Sequence, residues 1–153
     1  MNYSLLEVAP SHPDFVILVT QLDIHLAELY GKEEEFFAKQ NQIDSIKHAV
    51  VCYQDKIPVG CGGIKTYSDI LMEIKRMYVV PDRRGRGIAT SILKALENLA
   101  KELNYTTTIL ETLKVKEGVI KMYSKNGYVI IPNYGQYAGI ESSVCMSKEL
   151  GNR

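Results

Sequence analysis

In the middle of the chain a strand-like run gives way to a helix-like one. The corner between them holds one proline, three arginines and two glycines, in Pro81-Asp82-Arg83-Arg84-Gly85-Arg86-Gly87. Leu71 to Val80 reads as a strand halted by Pro81, and Ile88, Ile92, Leu96, Leu99 and Leu103 then recur on one face of a helix. Glycines let the backbone turn tightly and aim several N–H groups inward, and a helix start adds its partial positive charge. The arginines supply fork-shaped cations suited to phosphate. The loop therefore reads as a pyrophosphate holder; a solvated basic helix entrance is the plainer alternative. Two nucleotide motifs fail on detail. The P-loop needs a Gly-Lys-Ser/Thr ending, and the dinucleotide G-x-G-x-x-G would require glycine where Thr90 stands.

The remaining elements follow from period and punctuation. Tyr3 to Val8 reads as a strand ended by Ala9-Pro10. Ser11 and Asp14 are the expected caps of a helix beginning near His12 to Phe15, with Phe15, Leu18, Leu22, Leu26 and Leu29 on its buried face. Gly31 stops it, and Lys32-Glu33-Glu34-Glu35 starts a second helix with Phe36, Phe37 and Ile43 as apolar contacts. Ala49 to Tyr53 and Val59 to Thr66 form a hairpin around Gln54-Asp55-Lys56. Gly60, Gly62 and Gly63 in its second arm predict a bulge or a close approach by another backbone. Beyond the arginine loop and its helix, Asn104 is a stop and Thr106 to Leu113 a strand. Lys116 to Asn126 is a helix capped by Gly127, and Tyr128 to Ile131 and Ser143 to Ser147 are the last strands. This order suits an α/β (α+β) chain, a mixed, mostly antiparallel sheet with helices on both faces, in a single domain of residues 1–153.

Composition narrows the function classes. Eighteen Lys and Arg balance eighteen Asp and Glu, which leaves no electrostatic footprint for nucleic acid or an acidic membrane. Met1-Asn2-Tyr3-Ser4 lacks a basic leader and an apolar signal core, and no run approaches the roughly 20 apolar residues that span a bilayer. Cys52, Cys61 and Cys145 are odd in number, lack C-x-x-C spacing and sit in apolar surroundings, so buried thiols in a reduced, cytoplasmic protein are expected. His12, His25 and His48 are isolated, and no metal site is expected.

Three segments together carry a family resemblance. Arg84-Gly85-Arg86-Gly87-Ile88-Ala89 resembles the Arg/Gln-x-x-Gly-x-Gly/Ala motif of the GNAT superfamily of N-acetyltransferases, which binds acetyl-coenzyme A. The strand Met72 to Val79 is similar to the one entering that loop. Ile120-Lys121-Met122-Tyr123-Ser124-Lys125-Asn126-Gly127-Tyr128 resembles the family's aliphatic-x-x-Tyr-x-x-x-Gly-Phe/Tyr segment. The resemblance implies the GNAT fold, with the cofactor entering between splayed central strands, here Leu71–Val80 and Thr106–Leu113. It implies direct acetyl transfer from acetyl-coenzyme A, without a metal, to a primary amine of a small-molecule acceptor. A non-catalytic acyl-coenzyme A-binding module acting on a partner protein is the alternative. A sheet-edge homodimer, common in the family, stays open.

By the same resemblance, main-chain groups of Met77 and Val79 meet the pantetheine, and an N–H near Val79 supports the oxyanion, a contact worth about 3 kcal/mol. Phosphates fall on Gly85, Gly87, Ala89 and Thr90, with Arg84 or Arg86 as charge partner. Tyr123 occupies the general-acid position; by residue type alone it is an aromatic packing residue. Glu73 is the candidate base, with strand alternation setting it on one face with Lys75, Met77 and Val79; a salt bridge to Lys75 or Arg76 is the other reading. Glu111 is a second candidate base. Lys116 stands where many relatives carry an asparagine that contacts the cofactor, and Val119 where they carry alanine. Pro132-Asn133-Tyr134-Gly135-Gln136-Tyr137 reads either as a substrate-lining loop or as a self-packed one. Asp23, His25, Glu28, Tyr30 and Glu33 to Glu35 would close the acceptor side, their acidic bias suiting an amine or merely a solvated helix face.

Overall fold

The structure, a computed structural model, describes residues 2–31 and 45–151. The helix expected from Lys32 to Ile43 lies outside the described residues. Seven strands are hydrogen-bonded in the order β1-β2-β3-β4-β5-β7-β6, mostly antiparallel. The chain divides into two compact units, Met1–Lys65 with Lys75–Leu96, and Thr66–Ile74 with Glu97–Arg153.

In the first unit, β1 (Tyr3–Val8), β2 (His48–Gln54) and β3 (Ile57–Thr66) form an antiparallel ladder. The β2–β3 turn is only Asp55 and Lys56, at φ 51° and 70°. Two successive left-handed residues give a turn whose twist matches its strands. The register shifts at Cys52/Tyr53, which pair with Gly60 and Pro58. Val59 is the extra residue of the expected bulge.

Helix α1 (Pro13–Tyr30) starts at a proline, where the missing N–H costs nothing. Neither expected residue caps it. The Nδ1 of His12 accepts from the Asp14 amide at 3.1 Å, and the Asp14 carboxylate instead accepts from the Tyr53 hydroxyl at 2.6 Å. Phe15, Leu18, Val19, Leu22 and Leu26 close on Val8, Ala49, Val51, Cys61 and Tyr78. Leu29, expected on that face, is exposed, and Gly31 at φ 55° ends the helix.

Helix α2 (Ile88–Glu102) covers the other face of β3. A Cβ on Gly62 would lie 2.6 Å from Met77 Sδ and 2.8 Å from Leu96 Cδ1. A Cβ on Gly60 would lie 3.0 Å from Ile92 Cδ1. These glycines admit side chains of α2 and β4, and at Gly60 also the expected second backbone, the Tyr78 carbonyl, 3.2 Å from where a Cβ would stand. Cys61, between them, points to the α1 core, so alternation along β3 puts a helix on each face.

Strand β4 (Leu71–Val79) carries an irregularity at Arg76, whose φ is 61°. Beyond it the faces alternate, with Met77 on the α2 side and Tyr78 in the α1 core. Arg76 turns towards α1, where Nη2 donates to the Val19 carbonyl at 3.3 Å and pairs with Asp23.

In the second unit, Leu71–Glu73 of β4 pair in parallel with Thr107–Ile109 of β5 (Thr107–Leu113). β5 pairs antiparallel with β7 (Ser143–Glu149) along its whole length, and β6 (Val129–Ile131) joins the far side of β7. Asn104, at φ 71°, follows the end of α2 as expected. Helix α3 (Glu117–Lys125) runs into Asn126 and Gly127, the latter at φ 94°. Glu97 of α2 is buried, with Oε2 accepting from Tyr128 at 2.8 Å and Oε1 from Lys148 at 3.0 Å. The Thr108 and Tyr128 hydroxyls are 2.7 Å apart.

Candidate active site

The arginine loop opens with a 3₁₀ turn, Pro81–Arg83, and reaches α2 through two left-handed glycines, Gly85 at φ 78° and Gly87 at φ 81°. Nothing lies within 4 Å of where a Cβ would stand on either. Their requirement is therefore the backbone turn, not crowding. The first α2 hydrogen bond runs from the Ser91 amide to the Gly87 carbonyl at 3.0 Å. That leaves the amides of Ile88, Ala89 and Thr90 in the first turn, where no carbonyl of the helix reaches them.

The three arginines are not equivalent. Arg83 donates to Gln54 Oε1 at 2.5 Å and to Asp82 at 2.8 Å, which offsets its charge locally. Arg84 donates from Nε to the Val79 carbonyl at 2.8 Å, and its guanidinium lies 5.6 Å from the centre of the Tyr78 ring. The side chain is thereby pinned to the strand end, and the Val79 carbonyl is engaged by it. Arg84 and Arg86 are both exposed, whereas Val79 is buried and Met77, Ala89 and Thr90 are half-buried.

In the second unit, Tyr123 is buried on α3 and meets Tyr128 edge-on, ring centres 5.5 Å apart. Burial pushes its phenol well above the usual range, which keeps the proton on oxygen at neutral pH. Lys116 stands at the N-cap position of α3.

Glu73 is 1% exposed. Neither anticipated salt bridge forms, since Arg76 pairs with Asp23 and Glu73 Oε2 accepts from the Tyr134 hydroxyl at 2.5 Å. Glu73 Oε1 is buried without a hydrogen-bond partner. Glu111, the other candidate base, accepts from Ser143 Oγ at 2.6 Å. Tyr134 was legible only as part of a turn-rich loop. Its pairing with Glu73 spans 61 residues and leaves no local trace.

The cysteines are free and buried. Cys61 donates weakly to the Arg76 carbonyl at 3.5 Å, and burial pushes its thiol up to about 12 despite the nearby guanidinium. A thiol so protonated is no nucleophile.

Residues 18–128, well over half of the chain, match the family model described as "Acetyltransferase (GNAT) family". The chain belongs to the GNAT family of acetyltransferases. Both the Arg84–Ala89 and the Ile120–Tyr128 segments fall inside the matched region. Among curated relatives it is 28% identical over 151 residues to the "IAA acetyltransferase" of Azospirillum brasilense, covering 97% of this chain and 99% of that one. A Klebsiella pneumoniae structure ascribed to the acyl-CoA N-acyltransferases aligns with a TM-score of 0.78 at 28% identity, over 97% and 98% of the two chains. A GNAT structure from Elizabethkingia anophelis with acetyl-CoA bound aligns with a TM-score of 0.72 over 97% and 98% of the chains; at 18% identity that likeness speaks for the fold. This GNAT chain is an N-acetyltransferase.

Proposed function

We propose that the chain transfers acetyl directly from acetyl-coenzyme A to a primary amine of a small molecule. The observation that carries the reading is the start of α2: two left-handed glycines, three first-turn amides and exposed Arg84 and Arg86 offer a phosphate both hydrogen bonds and charge. The open space beside both glycines suits a pyrophosphate approaching the backbone.

Transfer requires the amine nitrogen to displace coenzyme A, as its thiol, at the acetyl carbonyl. Gly85, Gly87, Ala89 and Thr90 hold phosphate through their amides in this reading. Arg84 and Arg86 supply charge, and the backbone of Met77 to Val79 lies along the pantetheine. Tyr123 gives its proton to the departing sulfur, which its buried, neutral phenol suits. An amine of pKa near 10.4 arrives protonated, and Glu73, with its unpartnered Oε1, is the group that accepts from it.

Thermal unfolding with acetyl-coenzyme A, dephospho-coenzyme A and ATP tests the reading. A ligand at 100 times its Kd adds about 2.7 kcal/mol, and stabilisation by acetyl-coenzyme A beyond both controls is expected. No shift at saturating acetyl-coenzyme A would sink the reading. A shift without thiol release across a panel of small primary amines would sink the acceptor class alone.

A further inference from the structure

We propose that Tyr128 is a positioning residue for the general acid: anchored to α2 and β5, with a cation from β7 over its ring, it fixes the direction in which Tyr123 offers its proton. This rests on the reading of Tyr123 as the proton donor and adds the group that aims it.

A general acid delivers its proton only from hydrogen-bond reach, roughly 2.6–3.2 Å, and a misplacement of about 1 Å costs on the order of 100-fold. Aim matters all the more for Tyr123, whose buried phenol holds its proton tightly. The backbone first brings two rings together. Gly127, at φ 94°, closes α3 in a Schellman motif: its amide donates to the Ser124 carbonyl at 3.1 Å, and the Tyr128 amide donates to the Tyr123 carbonyl at 3.1 Å. Tyr128 is thereby set beside Tyr123, and the rings meet edge-on at 63° with centres 5.5 Å apart. Among the described residues the Tyr123 hydroxyl makes no hydrogen bond, so its direction comes from the packing of its ring. Tyr128, by contrast, is held through its polar end. Its hydroxyl lies 2.8 Å from Glu97 Oε2 and 2.7 Å from the Thr108 hydroxyl. A carboxylate paired with a lysine only accepts, so Tyr128 donates to Glu97 and Thr108 donates to Tyr128. Lys148 completes the frame, with Nζ donating to Glu97 Oε1 at 3.0 Å and lying 5.8 Å from the centre of the Tyr128 ring. Tyr128, Glu97 and Thr108 are all buried. A ring that only filled space would need none of these bonds. Burial, with Glu97 beside it, also raises the Tyr128 phenol far above its usual range, so Tyr128 keeps its proton and its bond to Glu97.

Two measurements on the full chain test the assignment. The first is the NMR spectrum of protein isotope-labelled at the tyrosine ε carbons. The Tyr123 signal, identified by its loss in Tyr123→Phe, should be single and sharp in wild type. It should broaden or split in Tyr128→Phe and in Thr108→Val, as the ring samples more than one direction. Thr108→Ser keeps the donor and should keep the wild-type signal. Thr108→Val is close in shape to the native residue and keeps the test valid if Tyr128→Phe fails to fold. A Tyr123 signal unmoved by both substitutions would reduce Tyr128 to packing. The second measurement is thiol release from acetyl-coenzyme A with benzylamine as acceptor. Tyr128→Phe should lower kcat about tenfold and Thr108→Val about threefold, with the Kd for acetyl-coenzyme A within about twofold. In a Tyr123→Phe background, Tyr128→Phe should change kcat by less than about twofold, because a residue that acts through the acid has nothing left to aim. Equal losses in both backgrounds would overturn the proposal. Full kcat in Tyr123→Phe overturns the parent reading of the acid, whereas a loss there with full kcat in Tyr128→Phe overturns the positioning alone. Where benzylamine is not turned over, the Tyr123 signal decides by itself.

Discussion

Burial keeps the Tyr123 proton on oxygen at neutral pH, so the proposed acid is loaded when the thioester breaks. The ring is enclosed on α3 against Tyr128, and its phenol sits above the usual value near 10. The acid therefore stays loaded across the working pH range, while the same burial makes it a weaker donor to a thiolate than an exposed tyrosine would be. Tyr123→Phe should lower kcat about 100-fold while leaving the Kd for acetyl-coenzyme A within about twofold. Thiol-release kinetics and calorimetry read the two separately, and unchanged kcat would move the proton to another donor. The sign of the pH dependence follows. An acid whose pKa is raised does not deprotonate below pH 10, so Tyr123 imposes no alkaline fall in kcat between pH 7 and about 9.5. A fall in that window that persists in Tyr123→Phe belongs to another group. One that vanishes in the variant would mean the phenol is not buried in solution.

At the level of elements, local signals were read well where chemistry is local. The hairpin, the glycine stop after α1 and the run from β4 through the arginine loop into α2 each have their cause within a few residues. Three features were illegible because their cause lies elsewhere in the chain. The Arg76 irregularity depends on partners in α1, Val19 and Asp23, and reads in sequence as unbroken strand. The Glu73–Tyr134 bond joins β4 to a loop after β6. Glu97 looks like a solvated helix residue, yet it is buried with its oxygens shared between Lys148 and Tyr128. That network tethers α2 to β7 and to the end of α3. Removing Lys148 leaves a buried carboxylate short of its cation, so Lys148→Met should cost about 2 kcal/mol in urea unfolding. The double variant with Glu97→Gln should recover part of that loss, because no buried charge is then stranded. Equal losses in single and double variants would show that packing, not charge, holds the tether.

For the molecule as a whole, the buried thiols tie stability to alkaline pH. Burial pushes Cys61 up to about 12 and Cys145 up to about 11 from a reference of 9.0. A folded pKa above the unfolded one means that the stabilisation is complete below pH 9. It then erodes as the unfolded thiols ionise while the folded ones cannot, until the pH reaches their folded values. Within that window each thiol removes about 1.4 kcal/mol per pH unit. Thermal stability should hold from pH 7 to 8 and decline from about pH 9, and Ellman's reagent should label neither thiol in the folded protein. Cys61→Ser removes one titrating group at nearly the same volume, so its stability at pH 7 falls modestly while its slope from pH 9 to 11 becomes shallower. Arg76 enters the same balance, since its guanidinium favours the Cys61 thiolate and opposes the effect of burial. In Arg76→Met that opposition is gone, so the loss of stability from Cys61 should begin at the same pH and continue to a higher one. A Tm that stays flat from pH 8 to 11 would mean that water reaches the thiols, Cys61 in the α1 core among them.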